Sequence, residues 1–243
     1  MKGLAVVTGA AQGIGASIAA HLSSNGHTVV AADLQPENCK GTAQKLDLAD
    51  LEGIPAWVAA VEAEHGPIQH LVNNAGVCFT MPIDAITIES WLKTFQVNVH
   101  GTFFLLREVA ERMKARGGGT IVNLASVSAF LPKLEQIDYG ASKAAVVSIT
   151  RSSAMIYGPD GVRINAVAPG VIDTPLTRAI AEDRSLIRGV TPEATLEPII
   201  GQTPLRRIGT ADEVAQLVAF LLSEESAFIT GQTYDISGGF LMR

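Results

Sequence analysis

Short β-branched runs alternate with segments of helix length along almost the whole chain, and this alternation restricts the fold more than any other feature. Residues 4–7, 28–32, 70–73, 120–124 and 163–167 are short runs rich in β-branched and other apolar residues, which read as strands buried on both faces. Between them, residues 14–24, 53–65, 87–115, 139–157 and 211–223 carry apolar side chains at three- and four-residue steps, the period of a helix with one face on a core. Asp50 and Thr210 stand where N-caps are expected. Strands that alternate with helices pair in parallel through right-handed crossovers. The expected architecture is therefore an α/β fold, a doubly wound parallel sheet with helices on both faces. The 243 residues suit one domain spanning 1–243.

Two stretches break the regularity. Only residues 35–44, with Pro36 and Gly41 inside, join the second strand to the third, which predicts an abbreviated connection. Residues 171–204 are punctuated by Pro and Thr with modest helical pieces. That is far longer than an ordinary connection and predicts a substrate-binding lid or pocket wall.

Composition narrows the partners. Although 47% of the residues are hydrophobic, no apolar run reaches membrane-spanning length. A net charge of -6 disfavours nucleic acid, which needs a basic surface. A small molecule is the expected partner. Cys39 and Cys78 form no CxxC pair and no disulfide framework, which fits a reducing compartment, the cytoplasm. The apolar run at 4–7 stops at Thr8-Gly9, short of a secretory h-region, so the fold is expected to begin at residue 1.

The first strand runs into Thr8-Gly9-Ala10-Ala11-Gln12-Gly13-Ile14-Gly15 and then a helix. In this strand-turn-helix setting each glycine has a purpose: Gly9 for the tight turn, Gly13 for approach of backbone to a pyrophosphate, and Gly15 for helix-sheet packing. The helix N-terminus adds N–H donors and a positive dipole, with Gln12 and Ile14 in the turn. The second strand ends at Asp33, followed by Leu34. An aspartate there can accept both hydroxyls of an adenosine ribose and would repel a 2'-phosphate. No Arg or Lys follows at 34 or 35, so NAD is expected rather than NADP. Farther along, Tyr139 and Lys143 are four residues apart at the start of a helical segment, hence on one face. A neighbouring cation stabilises phenolate and draws a tyrosine pKa toward the working range.

These motifs occur together and in order: 8–15, Asn73-Asn74-Ala75-Gly76, Asn98, Ser126, Tyr139-x-x-x-Lys143, Pro169-Gly170 and Ser237-Gly238-Gly239. Over essentially its full length the chain resembles the short-chain dehydrogenase/reductase family in its compact single-domain form. The resemblance implies an enzyme that moves a hydride, with 4-pro-S stereochemistry, between a dinucleotide and an alcohol or its carbonyl. It further implies Tyr139 as general acid/base, and Lys143 to lower the tyrosine pKa and bind the nicotinamide ribose. Ser126 would hold the substrate oxygen, and Asn98 a water beside the lysine. Asn98 also has a simpler reading, bonding backbone and kinking its helix. Asp47 and Leu48 match a pair that contacts adenine, and Asn74, Ala75 and Gly76 the turn beside the adenosine ribose. Pro169, Gly170, Ile172 and Thr174 match the stretch that packs on nicotinamide. A homotetramer, or a homodimer, is the implied assembly.

The expected substrate is a secondary alcohol: a polyol, sugar, cis-diol or hydroxy acid. A 3-ketoacyl-type carbonyl reductase would share the catalytic residues but want a cation for NADP. A non-catalytic dinucleotide sensor would have lost Tyr139, Lys143 or Ser126, and all three are present. The five histidines show no metal-ligand spacing, so no metal is expected. Trp57 and Trp91 read as packing residues, and Cys78 as a small hydrophobe. Arg184 and Arg188, four apart, would suit an anionic substrate, but a solvated helix face is the preferred reading.

Overall fold

The computed structural model describes residues 2–243, and residue 1, the expected start of the fold, lies outside the described residues. Seven strands form one sheet: β1 (Leu4–Thr8), β2 (Thr28–Asp33), β3 (Thr42–Lys45), β4 (Ile68–Asn73), β5 (Gly119–Leu124), β6 (Val162–Pro169) and β7 (Thr233–Ile236). Their spatial order is β3-β2-β1-β4-β5-β6-β7, and every pair is parallel. The order reverses between β1 and β4. In such a sheet the crevice beyond the carboxyl ends at that switch point is where ligands bind.

Period-two side-chain alternation sends the apolar residues of the central strands to both faces. Leu4 and Val6 of β1 join one core with Val30, Leu71, Ile121 and Ile164. Ala5 and Val7 join the other with Ala31, Val72, Val122 and Val167. Helices α2 (Ile54–His65), α4 (Thr102–Ala115) and α5 (Ile137–Tyr157) cover the first face through Val58, Leu106, Val109 and Tyr157. Helices α1 (Gly13–Ser24) and α8 (Ala211–Leu222) cover the second through Ile18, Leu22, Val214 and Leu221. Each fully buried side chain of this size contributes about 1.5–3 kcal/mol.

Several boundaries differ from the sequence reading. The third strand begins at Thr42, inside the stretch assigned to the connection, which shrinks to a 3-10 turn at Pro36–Asn38. Asp50 does not cap α2. Its Oδ1 accepts the Gly53 N–H at 3.2 Å, and the helix starts one residue later with Gly53 as its N-cap. The segment 87–115 is α3 (Ile88–Phe95) joined to α4 through a π-helical turn, Gln96–Gly101. That turn presses on the loop after β3, where a Cβ on Gly101 would meet Leu48. The 171–204 stretch is more helical than its punctuation suggests: α6 (Pro175–Arg188) and α7 (Pro192–Gln202) fill most of it. Thr174-Pro175 and Thr191-Pro192 are not breaks but starts, a threonine N-cap followed by proline at the first helical position.

Candidate active site

A cleft of about 900 Å³ opens along the carboxyl ends of the strands, and nearly all the residues singled out in the sequence line it. At one end the β1-α1 turn supplies Gly9, Gln12, Gly13 and Ile14. Gly9 has φ +66° and Gly13 φ +57°, the left-handed region that favours glycine. A Cβ on Gly9 would lie 2.8 Å from the Ala75 backbone. Gly15 does not reach the cleft surface: it packs beneath the loop, where a Cβ would strike the Gly9 carbonyl and the Asn74 amide. The Asn74 side chain holds this loop, donating to the carbonyls of Thr8 at 2.9 Å and Gly9 at 3.1 Å. Its own N–H and that of Ala75 donate to Thr8 Oγ1, both at 3.0 Å. The Asn74 side chain therefore builds the loop, and Ala75 and Gly76 bring backbone to the cleft beside it.

Gln12 is the N-cap of α1, yet its side chain makes no capping hydrogen bond. The first amides of α1 thus keep their donors for an anion. Asp33 closes this end of the cleft. Its carboxylate accepts the Ala11 N–H and the Gln35 N–H, each at 3.0 Å, so it both caps a turn and ties the glycine loop to β2. Leu34, Asp47 and Leu48 continue the wall, with Asp47 accepting the Ala49 N–H at 2.8 Å. This cradle fits a dinucleotide: close backbone approach, open helix amides and an acidic residue at the end of β2.

The middle of the cleft is formed by β5, β6 and the start of α5. Ser126 follows β5 and caps a 3-10 turn, accepting the Ser128 N–H at 3.1 Å. Tyr139 and Lys143 project from the first two turns of α5. Burial, reinforced by the Cys78 thiol, pushes the Tyr139 phenol well above the usual tyrosine range, while its hydrogen bond with Ser126 pulls the other way. Lys143 is 4% exposed, and burial holds its ammonium down to about 8. It donates to the Leu124 carbonyl at 2.7 Å and lies 5.6 Å from the Tyr139 ring centre. The sequence reading had the lysine lowering the phenol pKa, whereas here burial sets the direction for both groups.

Asn98 is fully buried in the π-turn and is not part of the cleft surface. Its amide clasps Val77, accepting from the backbone N–H and donating to the carbonyl, both at 2.8 Å, and donates to Ser142 Oγ at 3.1 Å. A Cβ placed on Gly76 would come within 3.2 Å of Asn98 Oδ1 and 3.5 Å of Lys143 Nζ, so the two groups converge beneath that glycine. Pro169, Gly170, Ile172 and Thr174 line the opposite wall. The Thr174 hydroxyl caps α6 while its methyl faces Gly13 at 3.4 Å from the position of a Cβ.

Comparison with known proteins agrees with this geometry. Residues 9–241 match a family model described as enoyl-(acyl carrier protein) reductase. The chain belongs to the short-chain dehydrogenase/reductase family. It is an NAD(P)-dependent oxidoreductase. It is 35% identical to galactitol 2-dehydrogenase of Agrobacterium fabrum, over 97% of this chain and 96% of that one. It is 34% identical to a 3-oxoacyl-(acyl-carrier-protein) reductase of Thermotoga maritima, over 98% and 97%. Among solved structures, the aldohexose dehydrogenase of Thermoplasma acidophilum superposes with a TM-score of 0.92 at 33% identity, over 100% of this chain and 95% of that one.

Lys133, Gln136 and Arg184 of this short-chain dehydrogenase/reductase also line the cleft, Arg184 from within the 171–204 stretch expected as a pocket wall. Arg184 was read as a solvated helix face, but it is 9% exposed, its guanidinium held by Glu135 and Gln136. Those partners are 49 and 48 residues away in sequence, so no local pattern could reveal them. Trp57 packs on the core and Trp91 stacks on Phe95 at 5.2 Å, as packing residues do.

Proposed function

We propose that this enzyme interconverts a secondary alcohol and its carbonyl with NAD(H), using Tyr139 as general acid/base. The observation that carries the reading is the meeting of the Tyr139 phenol, the Ser126 hydroxyl and the Lys143 ammonium in one wall of the cleft that also holds the glycine turn. A bound nicotinamide supplies or accepts the hydride. Gly9, Gln12, Gly13 and Ile14 would take the pyrophosphate, supported by Gly15. Asp33 and Leu34 would take the adenosine ribose, with Ala75 and Gly76 beside it, and Asp47 and Leu48 the adenine. Pro169, Gly170, Ile172 and Thr174 would orient the nicotinamide, with Tyr139 and Lys143 at its ribose.

Within that frame Ser126 donates to the substrate oxygen and fixes it beside the phenol. Tyr139 gives its proton to that oxygen during reduction and takes one during oxidation. The Lys143 charge favours the phenolate half of the cycle, and Asn98 fixes the Val77 loop beneath. NAD is favoured because Asp33 presents a carboxylate where a 2'-phosphate would stand, and neighbouring Gln12 and Leu34 carry no charge to offset it. The 171–204 segment contributes Thr174, Ile180, Arg184 and Ile199 to the cleft, which supports its reading as a substrate wall.

A homotetramer in the cytoplasm completes the proposal. Met155 and Ile156 on α5, together with Phe228 and Met242 near β7, are exposed apolar side chains placed to meet other copies. Both cysteines are free thiols, in keeping with a reducing compartment.

The test is absorbance at 340 nm with NAD and with NADP against secondary alcohols, sugars and dihydrodiols. Tyr139→Phe should lose about 100-fold or more in turnover while dinucleotide affinity falls by no more than the loss of one ribose contact. Full turnover in that variant would remove Tyr139 from the chemistry. Better turnover with NADP would overturn the role of Asp33 and bring the 3-ketoacyl-type reductase reading forward.

A further inference from the structure

The end of the cleft beyond Tyr139 carries a charge pattern that proton transfer does not use. Lys133 and Arg184 both line it. Arg184 donates through Nε to Glu135 at 3.2 Å and through Nη2 to the Gln136 side-chain oxygen at 2.8 Å. Among the described residues its Nη1 has no hydrogen-bond acceptor, and it is not one of the enclosed unpaired atoms. That edge of the guanidinium remains open. Lys133 makes no ion pair among the described residues and sits 5.6 Å from the Phe240 ring centre. Burial and the charge of Arg184 both push its ammonium pKa down, so the two cations feel each other.

Glu135 does not cancel this charge. Its carboxylate is gripped by Arg188 through two bonds of 2.7 Å and also accepts from Arg184. Two guanidinium groups therefore share one carboxylate, and Lys133 has none. Holding two cations in a partly desolvated wall is costly unless an anion joins them. The position relative to the chemistry is set by Gln136, the N-cap of α5, whose amide nitrogen donates to Cys78 Sγ at 3.1 Å. Cys78 in turn is near enough for its charge to be felt at the Tyr139 phenol. Val77, Ile180, Leu196 and Ile199 give apolar walls to the same cleft.

The geometry points to a carboxylate-binding subsite formed by Lys133 and Arg184, which makes the substrate class a secondary hydroxy acid, or its keto acid, on a short hydrocarbon chain. This rests on the alcohol-carbonyl reading above. The open guanidinium edge and the lysine match a monoanionic carboxylate. A phosphate dianion would bring a second negative charge against Glu135.

The test compares a short 3-hydroxy acid, its neutral methyl ester and glycerol 3-phosphate in wild type, Arg184→Gln, Arg184→Lys and Lys133→Met. Arg184→Gln should lower kcat/KM for the acid about 30-fold or more, mainly through KM, and lower that for the neutral ester far less. Arg184→Lys should recover part of the loss. Lys133→Met, which breaks no protein ion pair, should show a smaller loss in the same direction. Calorimetric titration with butyrate, which lacks the reacting hydroxyl, should give heat with wild type and none with Arg184→Gln. An acid-to-ester ratio that ignores both residues, or a preference for the phosphate, would overturn the subsite and leave the parent reading intact. If no alcohol of any class is oxidised and Tyr139→Phe equals wild type, the parent reading fails instead. The butyrate titration then still decides the subsite.

Discussion

Helices α1 and α8 lie side by side on one face of the sheet, joined by a hydrogen bond from Ser17 to Asp212, yet their N-termini are built differently. Helix α8 starts with a complete capping box: Thr210 Oγ1 accepts the Glu213 N–H at 3.2 Å, and Glu213 accepts the Thr210 N–H at 2.8 Å. Threonine side chains cap α3, α6 and α7 as well, through Thr87, Thr174 and Thr191. Helix α1 starts at Gln12 and α5 at Gln136, and neither side chain caps its helix. Glutamine is not among the favoured N-cap residues. The two uncapped glutamines border the cleft: one sits at the glycine turn, and the other reaches Cys78 and Arg184 instead of its own helix. Helix α8, which contributes nothing to the cleft wall, satisfies its first amides with its own side chains, whereas α1 leaves those at the glycine turn uncapped.

The sharpest way to break this contrast is to cap α1. In Gln12→Asp the new carboxylate should take an amide of the first turn and add negative charge beside the pyrophosphate position. Dinucleotide affinity should fall about 30-fold or more, the scale of like charges brought together at an interface, while the thermal midpoint of the free protein stays level or rises. Fluorescence titration with NADH and a melting curve read the two effects. Loss of both affinity and stability would show that Gln12 merely tolerates the loop, and the idea of an end kept open for a ligand would fail.

The α5 end can be tested by pH. Burial lowers the Lys143 ammonium to about 8 and raises the Tyr139 phenol. Carbonyl reduction needs the tyrosine as a proton donor and the lysine as a cation. As pH rises through about 8 the lysine loses its proton first, while the phenol keeps its own. Reductive kcat/KM should therefore be flat below about 8 and fall up to about tenfold per unit above it. A limb near the ordinary lysine value would mean that Lys143 is solvated. The same profile in Lys143→Arg should lose the limb, because a guanidinium stays protonated throughout.

This contrast also explains what the sequence made legible. The sheet, its two faces and the abbreviated β2-β3 connection follow from local periodicity and chain length, which are sequence properties. The glycine turn, Asp33, Ser126, Tyr139 and Lys143 were visible because their chemistry lies in short motifs. The pairing of Arg184 with Glu135 was not, because a guanidinium at helical spacing looks the same whether it faces water or a carboxylate 49 residues back. The π-turn that buries Asn98 was legible only as an asparagine that bonds backbone and kinks its helix, since no residue type marks the turn itself. Thr174 and Thr191 looked like loop punctuation because cap and breaker use the same residues.

The smallest expected effect is at the capped end. Thr210→Ala removes the acceptor for the Glu213 N–H and should cost about 1 kcal/mol. In a chain of this size that is about 2–4 °C in thermal midpoint. The loss should stay near the low side of that range because the other half of the box survives. Glu213 still accepts the Thr210 backbone N–H, and Arg207 grips its carboxylate at 2.9 and 2.5 Å, holding its pKa down to about 2. Thr210→Ser should restore the midpoint, since a serine hydroxyl accepts the same amide. Dinucleotide affinity should be unchanged in both, because the α8 amides are satisfied within the protein whether or not the cleft is filled. If Thr210→Ala weakened NADH binding as much as Gln12→Asp does, the two ends would be functionally alike and the division between supporting and ligand-facing helices would be lost.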